Sequence, residues 1–126
     1  SKTGSMMKGM DGAAYLATRT NAMMLPVGIT ETDKLYYNLR RLKITTAGIK
    51  IGKPFRLPDM GRRVRARDLP QMTELIMAHI AAELPESYRG VYADSPALEA
   101  LLNGNDPWEA IQAMETLEAD PIVENA

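Results

Sequence analysis

The stretch "AMMLPVGI", residues 22–29, decides the fold. Ala22, Met23, Met24, Leu25 and Val27 follow one another with no polar alternation. A continuous apolar run of this length reads as a strand buried on both faces, the pattern of a parallel sheet. Pro26 lies inside it and cannot donate to a ladder, so the strand is expected to end or bulge there.

Upstream, "DGAAYLATRTN" (11–21) predicts a short helix, with Asp11 able to cap its start and Asn21 suited to its end. Downstream, "ETDKLYYNLRRL" (31–42) reads as a loop or short helix. "KITTAGIKIG" (43–52) follows as a second strand. Thr45, Ala47, Ile49 and Ile51 face one way, with Lys43, Thr46 and Lys50 more exposed, and Gly52 ends it. A connection rich in proline, glycine and arginine leads to "LPQMTELIMAHIAAELP" (69–85). Met72, Leu75, Ile76, Ile80 and Leu84 make a helical stripe there, Pro70 lies in the first turn and Pro85 stops the helix. Beyond residue 94 two short helices are expected, capped by Ser95 and Asp106 with Pro96 and Pro107 at their first positions. The expectation is an α/β fold: strands 22–28 and 45–51 in one sheet, helix 70–84 covering a face, and a short helical C-terminal tail. Residues 1–94 form the main body and 95–126 the tail.

With 126 residues the chain suits one modest domain. Aromatics are only 6%, so the core leans on aliphatics and on nine methionines. The absence of cysteine excludes a disulfide framework, a thiolate metal site and a cysteine nucleophile. No apolar run approaches the roughly 20 residues of a membrane-spanning helix. The chain opens on the polar "SKTGS" without an initiator methionine, which points to a piece of something longer.

The net charge of -1 conceals an asymmetry. Residues 1–89 carry all 15 Lys and Arg against 8 acidic residues, while residues 90–126 carry 8 acidic residues and no basic one. A basic body suggests anionic partners, and the acidic tail can also simply neutralise it.

Three phrases carry a resemblance: "GAAYLATRTNAMMLPVGI", "IKIGKPFRLP" and "MTELIMAHIAAELPESYRGVYAD", in this order and at this spacing. Together they resemble the C-terminal half of glycerolipid acyltransferases of the 1-acylglycerol-3-phosphate acyltransferase type, over roughly residues 1–94. The resemblance implies part of an acyltransferase-type sheet covered by helices. It also implies transfer of an acyl chain from acyl-CoA or acyl carrier protein to the hydroxyl of a lysophospholipid or glycerol phosphate, in phospholipid biosynthesis. The acyl donor is a substrate, and no bound cofactor is implied. The general-base histidine, its aspartate and a phosphate-gripping arginine would lie upstream of Ser1, so no catalytic residue is expected within the chain and the chain alone is expected to be inactive. Its partners would be the N-terminal half of the domain, the two substrates and a membrane surface, in a cytoplasmic, peripherally bound protein. One departure is Glu31, where the family often has glycine.

By the same resemblance, Lys2, Thr3, Ser5 and Lys8 continue the phosphate-proximal loop, and Pro26 lies in the strand under the acceptor site. Each has a plainer reading, as surface or as core. His79 has Leu84 five residues on rather than aspartate, and reads as a packing residue of the helix. No metal site is expected. "GRRVRARD" (61–68) holds Arg62, Arg63, Arg65 and Arg67, which could meet anionic headgroups or nucleic-acid phosphates. No aromatic is interleaved, which disfavours nucleic acid. A non-enzymatic module binding anionic surfaces through these arginines is the alternative to the acyltransferase reading. Trp108 suits either an interfacial anchor or packing of the tail onto the body.

Overall fold

Leu69–Ala82 forms the helix around which the described residues are arranged. The computed structural model describes residues 5–30 and 48–119. In chain order the elements are α1 (Gly12–Thr20), β1 (Val27–Thr30), β2 (Gly48–Ile51), α2 (Leu69–Ala82), α3 (Pro96–Leu102) and α4 (Pro107–Ala119). Among the described residues the fold is mixed α/β, with four helices and a two-stranded sheet.

The apolar stripe of α2 is the centre of the core. Met72, Leu75, Ile76 and Leu84 are buried, and Ile80 is half-buried. One side of the helix packs Leu75, Ala78 and Ala81 against Tyr92, Ala97, Leu98 and Ile111. The other packs Met72 and Ile76 against Ala14 of α1. The alanines let α3 and α1 come close, and Leu98 and Met72 fill the remaining space with less than 2% exposure. The acidic segment beyond residue 94 therefore shares a core with α2. Trp108 touches both halves of that core, as the packing role requires.

Several helix ends follow the sequence reading. Ser95 Oγ accepts from Leu98 N–H at 3.4 Å and donates to Glu74 Oε1 at 2.7 Å. Asp106 Oδ1 accepts from Trp108 N–H, and Asn21 closes α1 in the left-handed region at φ 53°. Asp11 does not cap α1 with its side chain. Its Oδ1 instead accepts from Thr73 Oγ1 at 2.7 Å, because α2 offers a donor that ties the two helices together.

The sheet departs further from expectation. β1 and β2 pair antiparallel, with Val27 opposite Ile51 and Ile29 opposite Ile49, where the apolar run suggested a parallel setting. The ladder proper begins only at Val27. Before it the chain is extended and makes one further bridge, in which Met24 and Phe55 exchange both backbone hydrogen bonds at 2.7 and 2.9 Å. Between these two pairings, Leu25 and Pro26 oppose Gly52, Lys53 and Pro54. Pro26 has no N–H and only its carbonyl takes part, accepting from Gly52 at 2.9 Å, so the interruption falls where the proline demanded it.

Burial on both faces is not found among the described residues. One face, with Gly28 and Gly52, lies against Glu83 and Leu84 at the end of α2. A Cβ on Gly28 would collide with the Glu83 carbonyl, so glycine permits the approach. On that side Lys50 also reaches Glu83 at 3.7 Å. The other face is bare among the described residues: Met23, Leu25, Ile29, Ile49 and Ile51 are each 50–64% exposed. Of the expected strand 45–51, residues 45–47 lie outside the described residues, as does the segment 31–42.

The phrase "LPESYRGVYADS" (84–95) proves to be a clasp. Arg89 Nε donates to the carbonyls of Ala81 (3.1 Å) and Leu84 (3.2 Å), finishing α2 with a cation at its negative end. Two short 3-10 turns follow, Glu86–Tyr88 and Gly90–Tyr92. Met6 N–H donates to Tyr88 O at 2.9 Å, Val91 N–H donates to Met6 O at 3.3 Å, and Gly9 N–H donates to the hydroxyl of buried Tyr92 at 2.7 Å. Gly90 has φ +54°, and a Cβ there would run into the Met6 backbone.

Candidate functional site

The segment 57–66 enters α2 through one 3-10 turn, Ala66–Asp68. Asp68 is buried and organises the loop before it. Its two oxygens receive Arg62 Nη1 and Nη2 at 2.8 and 2.9 Å, a bidentate pair, and one of them also accepts Arg65 N–H at 2.8 Å. Those hydrogen bonds, Arg62's first, hold the Asp68 carboxyl well below the usual carboxylate range. Arg62 also donates to Arg63 O at 3.1 Å.

The arginines proposed from sequence therefore divide. Arg62 is committed to Asp68, although its side chain remains partly exposed. Arg63, Arg65 and Arg67 are exposed, and none forms an ion pair among the described residues. Arg62, Arg63 and Arg65 line a concavity of about 840 Å³ that Arg67 does not reach. α1 also lines it, bringing Tyr15 and Arg19. The Arg19 guanidinium lies 5.5 Å from the centre of the Tyr15 ring, in cation–π range. Sequence reasoning missed Arg19, since it lies in another element 43 positions before Arg62 and outside any basic run.

The residues assigned by resemblance fall elsewhere. Lys2 and Thr3 lie outside the described residues. Ser5 is half-buried, and Lys8 is exposed in the clasped loop, sharing a concavity with Asp11 and Glu74. Pro26 is buried and lines a different, apolar groove of about 430 Å³ with Leu16, Met23, Leu25, Phe55 and Ile80. The described structure does not bring Lys8, Pro26 and the arginines into one pocket.

His79 borders this region as a packing group. Its ring stacks on Phe55 with centroids 3.7 Å apart and planes 8° from parallel. Burial lowers its pKa from the ordinary value, against a smaller opposing pull from Glu83. Among the described residues no cluster of three His, Cys, Asp or Glu could hold a metal ion, and no helix is long and apolar enough to cross a membrane. Compared with protein-family models, with curated proteins and with solved structures, the chain finds no match.

Proposed function

We propose that this chain is the supporting half of a glycerolipid acyltransferase, which moves an acyl chain from acyl-CoA or acyl carrier protein to a lysophospholipid or glycerol phosphate hydroxyl. The observation that carries the reading is the apolar groove at Met23–Pro26. It runs into the bare sheet face through Met23 and Leu25, both more than half exposed. Lining by methionine, leucine, phenylalanine and isoleucine suits a flexible hydrocarbon, which needs dispersion contacts and no polar partner. The bare face suits cover by the half-domain that would bring the catalytic groups. Left in water, each such side chain forgoes part of the roughly 1.5–3 kcal/mol that full burial provides.

In this scheme the base histidine, its aspartate and the phosphate-gripping arginine come from the upstream half, and Ser5 and Lys8 continue the acceptor loop. The membrane surface supplies the lipid substrate to a peripherally bound cytoplasmic enzyme. Residues 1–126 alone should show no transfer from acyl-CoA to lysophosphatidic acid, since loss of a general base alone removes about 10²–10⁴-fold of rate. The same residues joined to their upstream coding sequence should be active, and Leu25→Asp in that longer chain should depress turnover. Robust turnover by residues 1–126 would end the assignment of the chemistry to the upstream half. An inert longer chain, tried with both acyl-CoA and acyl carrier protein as donors, would end the acyltransferase reading.

A further inference from the structure

The concavity between α1 and the segment 57–66 has a charge balance that no described residue offsets. Arg19, Arg62, Arg63 and Arg65 line it against one lining carboxylate, Asp59. Asp68 neutralises Arg62 from behind. Two positive charges remain in a recess with an apolar floor of Leu57, Val64 and Leu69, all half-buried.

The recess is also preorganised. Asp68 fixes the loop at Arg62 and at the Arg65 backbone, so Arg63 and Arg65 are presented from a braced turn. Asp59 Oδ1 accepts from Gly61 N–H at 2.9 Å, which holds the preceding bend, and Gly61 takes φ +71° there. The Tyr15 ring holds Arg19 on the α1 wall, and among the described residues its N–H groups have no hydrogen-bond partner. Guanidinium forks on two sides of a recess are suited to the oxygens of a phosphate, which they meet with paired, charge-assisted hydrogen bonds. The apolar floor adds a place for a carbon skeleton that a bare inorganic ion would leave empty.

We propose that this concavity binds a small organic phosphate, gripped by Arg19, Arg63 and Arg65. The proposal stands apart from the acyl-transfer reading, because the Lys8 loop and the Pro26 groove lie in other concavities. It differs equally from a flat basic surface, since it requires Arg19 on α1 and leaves out Arg67. The same phosphate chemistry can be offered by a soluble metabolite or by a lipid headgroup.

The test uses the full chain in two arms at low ionic strength, where exposed charges are least screened. One titrates adenosine 5′-diphosphate by calorimetry. The other sediments the protein with phosphatidylcholine vesicles with and without phosphatidic acid. Arg19→Gln should weaken binding about tenfold or more, the scale of one lost charge-assisted hydrogen bond. Arg67→Gln should leave it within about twofold, as suits a residue outside the recess. A loss with Arg19→Gln in the nucleotide arm identifies a soluble ligand, and one in the vesicle arm identifies a headgroup. Binding in neither arm, or equal sensitivity to Arg19→Gln and Arg67→Gln, would overturn the proposal. Circular dichroism checks that the variants fold; Arg63→Gln and Arg65→Gln repeat the measurement on the other wall should Arg19→Gln melt early.

Discussion

The helical side of the molecule and its sheet are made from similar aliphatic residues and end in opposite states. Around α2, small residues at Ala78, Ala81 and Ala97 draw the helices together, and Leu98 and Met72 are sealed. In the sheet, Ile29, Ile49 and Ile51 are at least half exposed although their cross-strand pairing is intact. Hydrophobicity selects a face; it does not supply the partner that covers it. The helices find partners in one another, whereas among the described residues β1 and β2 meet the end of α2 on one side.

The sharpest way to break this comparison is a matched pair of deletions. Leu98→Ala should cost about 2–5 kcal/mol, as large-to-small changes in sealed cores do. Ile51→Ala should stay within about 0.5 kcal/mol, as surface substitutions do. Urea unfolding measures both, and equal losses would mean that the sheet face is covered in solution.

A smaller loss is expected at the clasp. Gly90→Ala must adopt φ +54° with a Cβ against the Met6 backbone, a left-handed residue costing about 1–2 kcal/mol before the collision is counted. Hydrogen exchange at the Met6 and Gly9 amides should accelerate in this variant. Unchanged protection there would detach the N-terminal loop from the helical side of the comparison.

The smallest effect lies at the border between the two regions, where His79 stacks on Phe55. Burial lowers the His79 pKa in the folded chain below its unfolded value of about 6.5. The unfolded state therefore takes up the proton first as the pH falls. The contribution of neutral His79 is complete above about pH 6.5 and is lost as the pH drops toward the lowered folded value. Melting temperatures from pH 8 down to 5 should show this decline, and His79→Gln should flatten that part of the profile. An identical slope in both proteins would remove His79 as its source.

Much of the helical side was legible in the sequence, because its signals are local. The stripe of α2, the capping by Ser95 and Asp106, and the turn at Asn21 depend on neighbours a few residues away. The sheet was legible only in outline. Pro26 announced the interruption, but a continuous apolar run cannot distinguish a covered strand from one with a bare face. Pairing direction depends on where Gly48–Ile51 returns in space. The candidate site was least legible. Asp68 grips Arg62 across six positions, outside any helical spacing, and Arg19 joins the loop only through tertiary packing. Asp11 misled for the same reason, since a donor on α2 outbid the local cap.

The clasp has a consequence in time. Gly9 and Tyr92 are 83 residues apart, so the hydrogen bond that fixes the Gly9 amide cannot form until Tyr92 has been made. At about 5–20 residues per second, a ribosome takes roughly 4–17 s to synthesise that interval. Throughout it the loop with Ser5 and Lys8 lacks that anchor. The loop is thus synthesised well before it can take its final shape.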